Sequence, residues 1–269
     1  MEFDRQLLEN SLHLGRKHPH LPFSLHIFDS LPSTNQMVWD LITQGGKPGC
    51  VVIATQQTAG RGQWGRQWVS PTGGLYLSVA IAPKLDVTNS YQLTLASAWG
   101  IASQLQNCGV PVGIKWPNDL VLDGRKLGGI LTETKVHKGH ITQAVIGVGI
   151  NWSNPVPETG INLKSWQATQ NSQPISGLEM LTAAVLLGIQ SGLKCLNTEG
   201  ISILLSRYLD LLINMGDQVY VNNLLGTVVG VTTQGNLRLK IAGYDRKEPI
   251  AEISVEPGTI SLGYCKSSV

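Results

Sequence analysis

Nine consecutive residues, Gly60-Arg61-Gly62-Gln63-Trp64-Gly65-Arg66-Gln67-Trp68, constrain this chain more than any other segment. Glycines let backbone N–H groups approach an anion, arginines bring bidentate charge-assisted donors, and tryptophans offer flat faces to a base or ring. The string also satisfies G-x-G-x-x-G, a dinucleotide fingerprint that needs a strand before it and a helix directly after it. Val51-Val52-Ile53-Ala54 supplies the strand, but the loop runs on through Ser70-Pro71-Thr72-Gly73-Gly74 into Leu75-Tyr76-Leu77-Ser78-Val79, whose alternation reads as a second strand. The segment is therefore expected to be an anion-binding loop between two strands, with nucleotide chemistry the first inference. On local pattern alone, a glycine-rich hairpin loop without a ligand competes with it.

A second constellation argues against that plainer alternative: Lys115-Trp116-Pro117-Asn118-Asp119, followed by Asp123-Gly124-Arg125-Lys126-Leu127-Gly128-Gly129. Asp123-Gly124 between two apolar runs is a two-residue hairpin signal, which sets Lys126 near the start of the return strand on a rigid element. Gly128 and Gly129 remove side chains where a ligand could lie against the backbone. Taken alone, Lys126 reads first as a solvated hairpin lysine. Further upstream, Ser33-Thr34-Asn35-Gln36 fits a capping box ahead of an apolar helical run from Met37 to Ile42.

Composition excludes several function classes. With Lys+Arg 20 against Asp+Glu 18, a net charge of +2 argues against a surface that coats nucleic acid. Cys50, Cys108, Cys195 and Cys265 are scattered without a C-x-x-C pair and read as free thiols of a reducing compartment, hence a cytoplasmic protein. His18 and His20, and His137 and His140, have no accompanying ligand set, so a resident metal is not expected. Met1-Glu2-Phe3-Asp4 begins without an apolar signal region and no uninterrupted run of eighteen apolar residues occurs, so neither secretion nor a membrane partner is expected.

Leu25 to Phe28 reads as a strand, 34–44 as a helix, and Tyr91 to Asn107 as a helix stopped by Cys108-Gly109. Strands through Ile114, Val121, Ile130 and Val145 to Ile150 follow, then a Pro/Asn/Ser-rich connection to about Gly177 and helices over Leu178 to Leu196 and Ile201 to Ile213. Unequal blocks of strands and helices predict an α+β fold with a mixed or largely antiparallel sheet. From Asn214-Met215-Gly216-Asp217 onward only short strands between turns remain, the pattern of a small β-barrel. The expected division is 1–213 for the larger domain and 214–269 for the smaller, which is near the lower size limit for an independent core and so leans on its neighbour.

The ordered set Ser33-Thr34-Asn35, Gln57-Thr58-Ala59-Gly60-Arg61-Gly62, Gly65-Arg66, Lys115-Trp116-Pro117-Asn118-Asp119, Arg125-Lys126-Leu127-Gly128-Gly129-Ile130-Leu131 and Gly147-Val148-Gly149-Ile150-Asn151 resembles the biotin protein ligases. The resemblance implies a catalytic domain related to class II aminoacyl-tRNA synthetases and a C-terminal SH3-like barrel. It implies an enzyme that joins biotin to ATP and passes the biotinyl group to a lysine of a biotin carboxyl carrier protein or carrier domain. Lys126 and Arg61 would be the catalytic cations at the carboxylate and α-phosphate. Ser33, Thr34, Asn35, Gln57, Gly62, Gln63, Gly128 and Gly129 would join them around biotin. Arg66, Trp68, Lys115, Asn118, Asp119 and Asn151 would serve ATP, with magnesium carried mainly by phosphate oxygens near Asn118 and Asp119.

Some members of that family add an N-terminal DNA-binding domain; only about 30 residues precede Ser33 here, so no DNA partner is expected and Arg16-Lys17-His18 reads as a solvated face. A homodimer is one assembly the family allows. A lipoate or octanoate attachment enzyme and a biotin-sensing regulator are the alternatives. One departure stands out: many members have arginine where this loop has Gln63, which removes a cation from a loop expected to cover the adenylate, and Trp64 is expected to offset that by packing over the ligand.

Overall fold

The computed structural model describes residues 3–15, 22–170, 172–242 and 249–264. Cys265, His18, His20 and the Arg16-Lys17-His18 segment lie outside them. Helix α1 (Arg5–Gly15) precedes β1 (Ser24–Phe28), α2 (Thr34–Thr43), β2 (Cys50–Ala54), β3 (Leu75–Ile81) and the short β4 (Leu85–Asp86). Helix α3 (Tyr91–Asn107) leads to β5 (Gly113–Lys115), β6 (Asp119–Leu122), β7 (Arg125–His137) and β8 (His140–Ile150). Helices α4 (Leu163–Thr169), α5 (Leu178–Thr198) and α6 (Ile201–Asp210) come next, and β9 (Gln218–Val221), β10 (Leu224–Val231), β11 (Leu237–Ala242) and β12 (Pro249–Val255) close the fold.

The main sheet has eight strands in the order β1-β2-β3-β8-β7-β6-β5, with β4 added beside β8. Among the described strands β1 and β2 run parallel and the other pairs are antiparallel, so the sheet is mixed as expected. Strand β2 is buried along its whole length because both faces are covered. Val51 and Ile53 join the core shared with α1, α3, α5 and α6, while Cys50, Val52 and Ala54 pack with Val38 of α2 on the opposite face. Period-two alternation thus separates two cores across one strand.

Helix α5 is long and apolar enough to cross a bilayer by length and composition. Here it is a core helix. It meets α3 at glycines, where a Cβ on Gly188 would come within 2.7 Å of the Gly100 carbonyl oxygen, and Leu181, Val185 and Leu186 have no exposure. Two helices escaped the sequence reading although each carries a local signal. Leu8 and Leu12 of α1 stack at i,i+4 into the core, and Asn162 caps α4 by accepting from the Ser165 amide at 2.8 Å.

The C-terminal strands form a separate antiparallel sheet in the order β12-β11-β10-β9. Val221, Val228, Val231, Leu237, Leu239 and Ile241 belong to the same hydrophobic cluster as α3 and α5. Trp116 seals the seam by donating its indole N–H to the Gly235 carbonyl at 2.9 Å. The smaller sheet therefore leans on the larger one.

Candidate active site

The loop between β2 and β3 leaves and rejoins the sheet as a tight excursion. Gln57 pairs with Ser70, the Trp68 amide donates to the Gly60 carbonyl at 3.0 Å, and the Gly62 amide donates to the Arg66 carbonyl at 2.7 Å. A single 3-10 turn, Gln63–Gly65, forms its tip, and Trp64 adopts a left-handed φ of 54° there. No helix follows the glycines, which confirms that the G-x-G-x-x-G match is not a dinucleotide turn. The loop covers a cavity of about 1050 Å³, open mouth included, whose other walls are the start of α2, β6, β7, β8 and a segment just after β12.

One end of that cavity is neutral and internally hydrogen-bonded. Ser33 begins α2 by position, but its side chain caps nothing, and Gln36 bonds Asp40 at 2.9 Å. The expected capping box does not form; instead Gln57 reaches in from the next loop and its carbonyl accepts from the amide of Thr34, the first residue of the helix, at 2.8 Å, satisfying one of the free N-terminal amides. Behind these residues Ser78, fully buried on β3, lies 2.7 Å from Thr34 Oγ1 and donates to Asn35 Oδ1 at 2.6 Å. Asn35 donates from its amide nitrogen to Glu133 at 2.9 Å. A Cβ at Gly147 would overlap Asn35 Oδ1, so β8 must present glycine there.

The other end is charged. Asp123 and Gly124 have φ of 51° and 68°, the doubly left-handed turn expected of an Asp-Gly hairpin, and Lys126 is the second residue of the return strand β7. Its ammonium lies 2.6 Å from Asp119 Oδ1 and 5.2 Å from the Trp68 ring centroid. Lys115 sits 3.5 Å from Asp119 Oδ2. Burial pulls the Lys115 ammonium below the usual lysine range, and Asp119 opposes that pull. Trp68 lies flat on β8, where a Cβ at Gly149 would overlap its indole nitrogen. That nitrogen and Gln63 Oε1 are buried without a hydrogen-bond partner among the described residues, unusual for buried polar atoms and suited to a ligand's polar groups.

Arg61 also lines the cavity and is anchored on the side of Asn35. Its guanidinium donates to Glu133 Oε2 at 3.2 Å, and the same oxygen accepts from Asn35 and from the Trp39 indole at 3.1 Å. Of the expected residues, Ser33, Thr34, Asn35, Gln57, Arg61, Gly62, Gln63, Arg66, Trp68, Lys115, Asn118, Asp119, Lys126 and Gly129 line the cavity together. Gly128 and Asn151 do not. Gly128 faces the Gly149 carbonyl across the ladder, and Asn151 is held behind Lys126, its amide nitrogen 3.4 Å from the Lys126 carbonyl oxygen. Trp64 reaches the cavity rim with its indole against Gly258 of the C-terminal segment and with Arg66 over its ring at 5.7 Å. Sequence reasoning missed Ser78, Glu133 and Tyr264, whose positions depend on pairings no local pattern encodes.

A sequence model of the biotin/lipoate A/B protein ligase family matches residues 27–151. The bifunctional ligase/repressor BirA of Escherichia coli strain K12 is 33% identical over 238 residues, covering 86% of this chain and 74% of that protein. The protein of the same name from Bacillus subtilis strain 168 is 34% identical over 148 residues, 54% of this chain and 46% of its own length. Among solved structures, the biotin protein ligase from Aquifex aeolicus in complex with biotin and ATP superposes with a TM-score of 0.70 at 24% identity, covering 90% of this chain and 99% of that one, a likeness of fold. With its motifs gathered in one cleft and a relative aligned along most of its length, the chain belongs to the biotin/lipoate A/B protein ligase family.

Proposed function

We propose that this chain is a biotin protein ligase: it joins biotin to ATP, releasing pyrophosphate, and transfers the biotinyl group to a lysine amine of a biotin carboxyl carrier protein or carrier domain. The observation that carries the reading is the division of one cleft into a neutral, hydrogen-bonded end and a cationic end, with Arg61 also in its lining. A ureido ring has N–H donors and a carbonyl acceptor, which suit the hydroxyl and amide groups of Ser33, Thr34, Asn35 and Gln57. A polyphosphate suits Lys115, Lys126 and Arg66.

In the first step a biotin carboxylate oxygen attacks the α-phosphorus, and the bond to the β-phosphate bridging oxygen breaks. Negative charge grows on the phosphoryl oxygens, where Lys126 and Arg61 stand as pre-positioned cations. In the second step the carrier amine attacks the carbonyl carbon of the mixed anhydride, AMP leaves, and the amine loses a proton. Magnesium enters as part of the nucleotide substrate. The donor set fits that role and no dedicated cage: both Asp119 oxygens are engaged by ammonium or hydroxyl groups, and the Asn118 amide donates to the Ile130 carbonyl at 2.8 Å. Asn151 acts from behind Lys126, and Gly128 by admitting the neighbouring strand.

The family likeness supports reading 1–213 as a catalytic unit akin to class II aminoacyl-tRNA synthetases and 214–269 as an SH3-like barrel. The three described cysteines are unpaired, which supports a reducing, cytoplasmic setting. Nucleic acid is outside the proposal, since a net charge of +2 supplies no broad basic face. Biotin-dependent exchange of pyrophosphate into ATP is the test. Exchange with biotin is expected; exchange with lipoate or octanoate and none with biotin overturns the substrate.

A further inference from the structure

The segment after β12 returns to the cleft. Gly258, Ile260, Ser261 and Leu262 line its wall, and Tyr264 reaches the charged end. The Tyr264 hydroxyl donates to Asp119 Oδ2 at 2.7 Å, and its ring centroid lies 3.9 Å from the Lys115 ammonium. Asp119 thus receives Lys126 on one oxygen and Tyr264 and Lys115 on the other, with Asp119 and Lys115 each only 8% exposed.

Two ammonium groups share one carboxylate, so the site keeps a surplus positive charge for a polyphosphate. The shared carboxylate could turn to pair either lysine, and each choice would draw one cation away from the nucleotide. A phenol on Oδ2 removes that freedom, because an oxygen already accepting a short hydrogen bond favours the rotamer that leaves Oδ1 to Lys126. The ring meanwhile gives Lys115 a partner that does not neutralise it. Burial and the Asp119 carboxylate both hold the phenol protonated, so it remains a donor across the working pH range.

We propose that Tyr264 is a positioning residue of the nucleotide half-reaction: its hydroxyl orients Asp119, and through it Lys126, while its ring holds Lys115 toward the phosphates. The inference rests on the ligase reading above and names what the C-terminal segment contributes to it. It also splits by group: the hydroxyl serves the chemical step and the ring serves nucleotide binding.

The test compares the full-length protein with Tyr264→Phe and Tyr264→Leu, reading biotin-dependent pyrophosphate exchange over a range of ATP concentrations, with ATP and biotin affinities measured by calorimetry. Tyr264→Phe should lower the exchange kcat about tenfold, the loss of one charge-assisted hydrogen bond, and leave KM for ATP near its starting value. Tyr264→Leu should lower kcat similarly and also raise KM and Kd for ATP by about fivefold, as the ring contact is lost. Biotin affinity should hold in both. Unchanged kcat and KM in both variants, or a loss of biotin affinity parallel to the loss of exchange, overturns the assignment. An unsubstituted protein that shows no exchange overturns the ligase reading, and in that case the calorimetric ATP affinities alone decide the role of the ring.

Discussion

The two ends of the cleft solve different problems. At the neutral end, Thr34, Asn35, Gln57 and Ser78 are bonded mainly to one another, so their geometry is set before any ligand arrives. At the charged end the cations are held by a carboxylate of the protein itself, Lys126 and Lys115 by Asp119. Neutral hydrogen-bonding groups can be organised by each other, but like charges cannot, so cations waiting for a polyphosphate need a temporary anion. The neutral end should therefore behave as a rigid template, and the charged end as a set of partners exchanged when the nucleotide binds.

The largest expected effect comes from the charged end. Lys126→Ala should slow adenylate formation by about a hundredfold, roughly 3 kcal/mol in the barrier, while biotin still binds, because the charge matters most where phosphate charge develops. Normal exchange by a folded Lys126→Ala protein would break the division of labour. Next, two glycines on one face of β8 separate the ends: Gly147 backs Asn35 and Gly149 backs Trp68. Gly147→Ala should weaken biotin binding by about 2 kcal/mol through displaced hydrogen bonds, whereas Gly149→Ala should weaken ATP binding and spare biotin. Calorimetry that finds both variants losing the same ligand would collapse the comparison.

A smaller effect is set by pH. Because burial lowers the Lys115 value, its ammonium form is lost as pH rises through a point below the free lysine value of about 10.4. ATP affinity should fall across that window. The same sign means that charged Lys115 costs stability at neutral pH, a cost relieved as pH rises through its lowered folded value. Lys115→Arg should remove the alkaline limb, since a guanidinium does not titrate there. A limb that persists in Lys115→Arg assigns the titration to another group.

The smallest effect sits on the loop. Gln63→Arg should slow release of preformed biotinyl-adenylate several-fold, about 1 kcal/mol for a partly exposed charge, and stopped-flow release would measure it. Trp64→Ala should speed release. Its indole packs on Gly258, so the substitution loosens the join between loop and C-terminal segment as well as the cover over the ligand. Unchanged release in both variants would leave retention to Arg61, Arg66 and Trp68.

Much of this was legible where conformation is decided over a few residues. Tyr91 to Asn107 reads as a helix and is one, and Asp123-Gly124 reads as a hairpin and places Lys126 on its return strand. A glycine-rich loop followed by alternating residues reads as a strand–loop–strand unit, because backbone preferences act locally. Motif order identified the chemistry, since those residue types have few other uses together.

What the sequence could not supply are the partners that tune the site. Asn35 and Glu133 are 98 residues apart, and Tyr264 and Asp119 are 145 apart. The start of α2 shows the same dependence: the Thr34 amide is satisfied by Gln57, 23 residues downstream, while the locally expected Ser33 cap does not form. Local patterns state what each segment can do with its own backbone. Which distant carboxylate, amide or phenol meets it depends on how the sheets pack, and only the tertiary structure decides that.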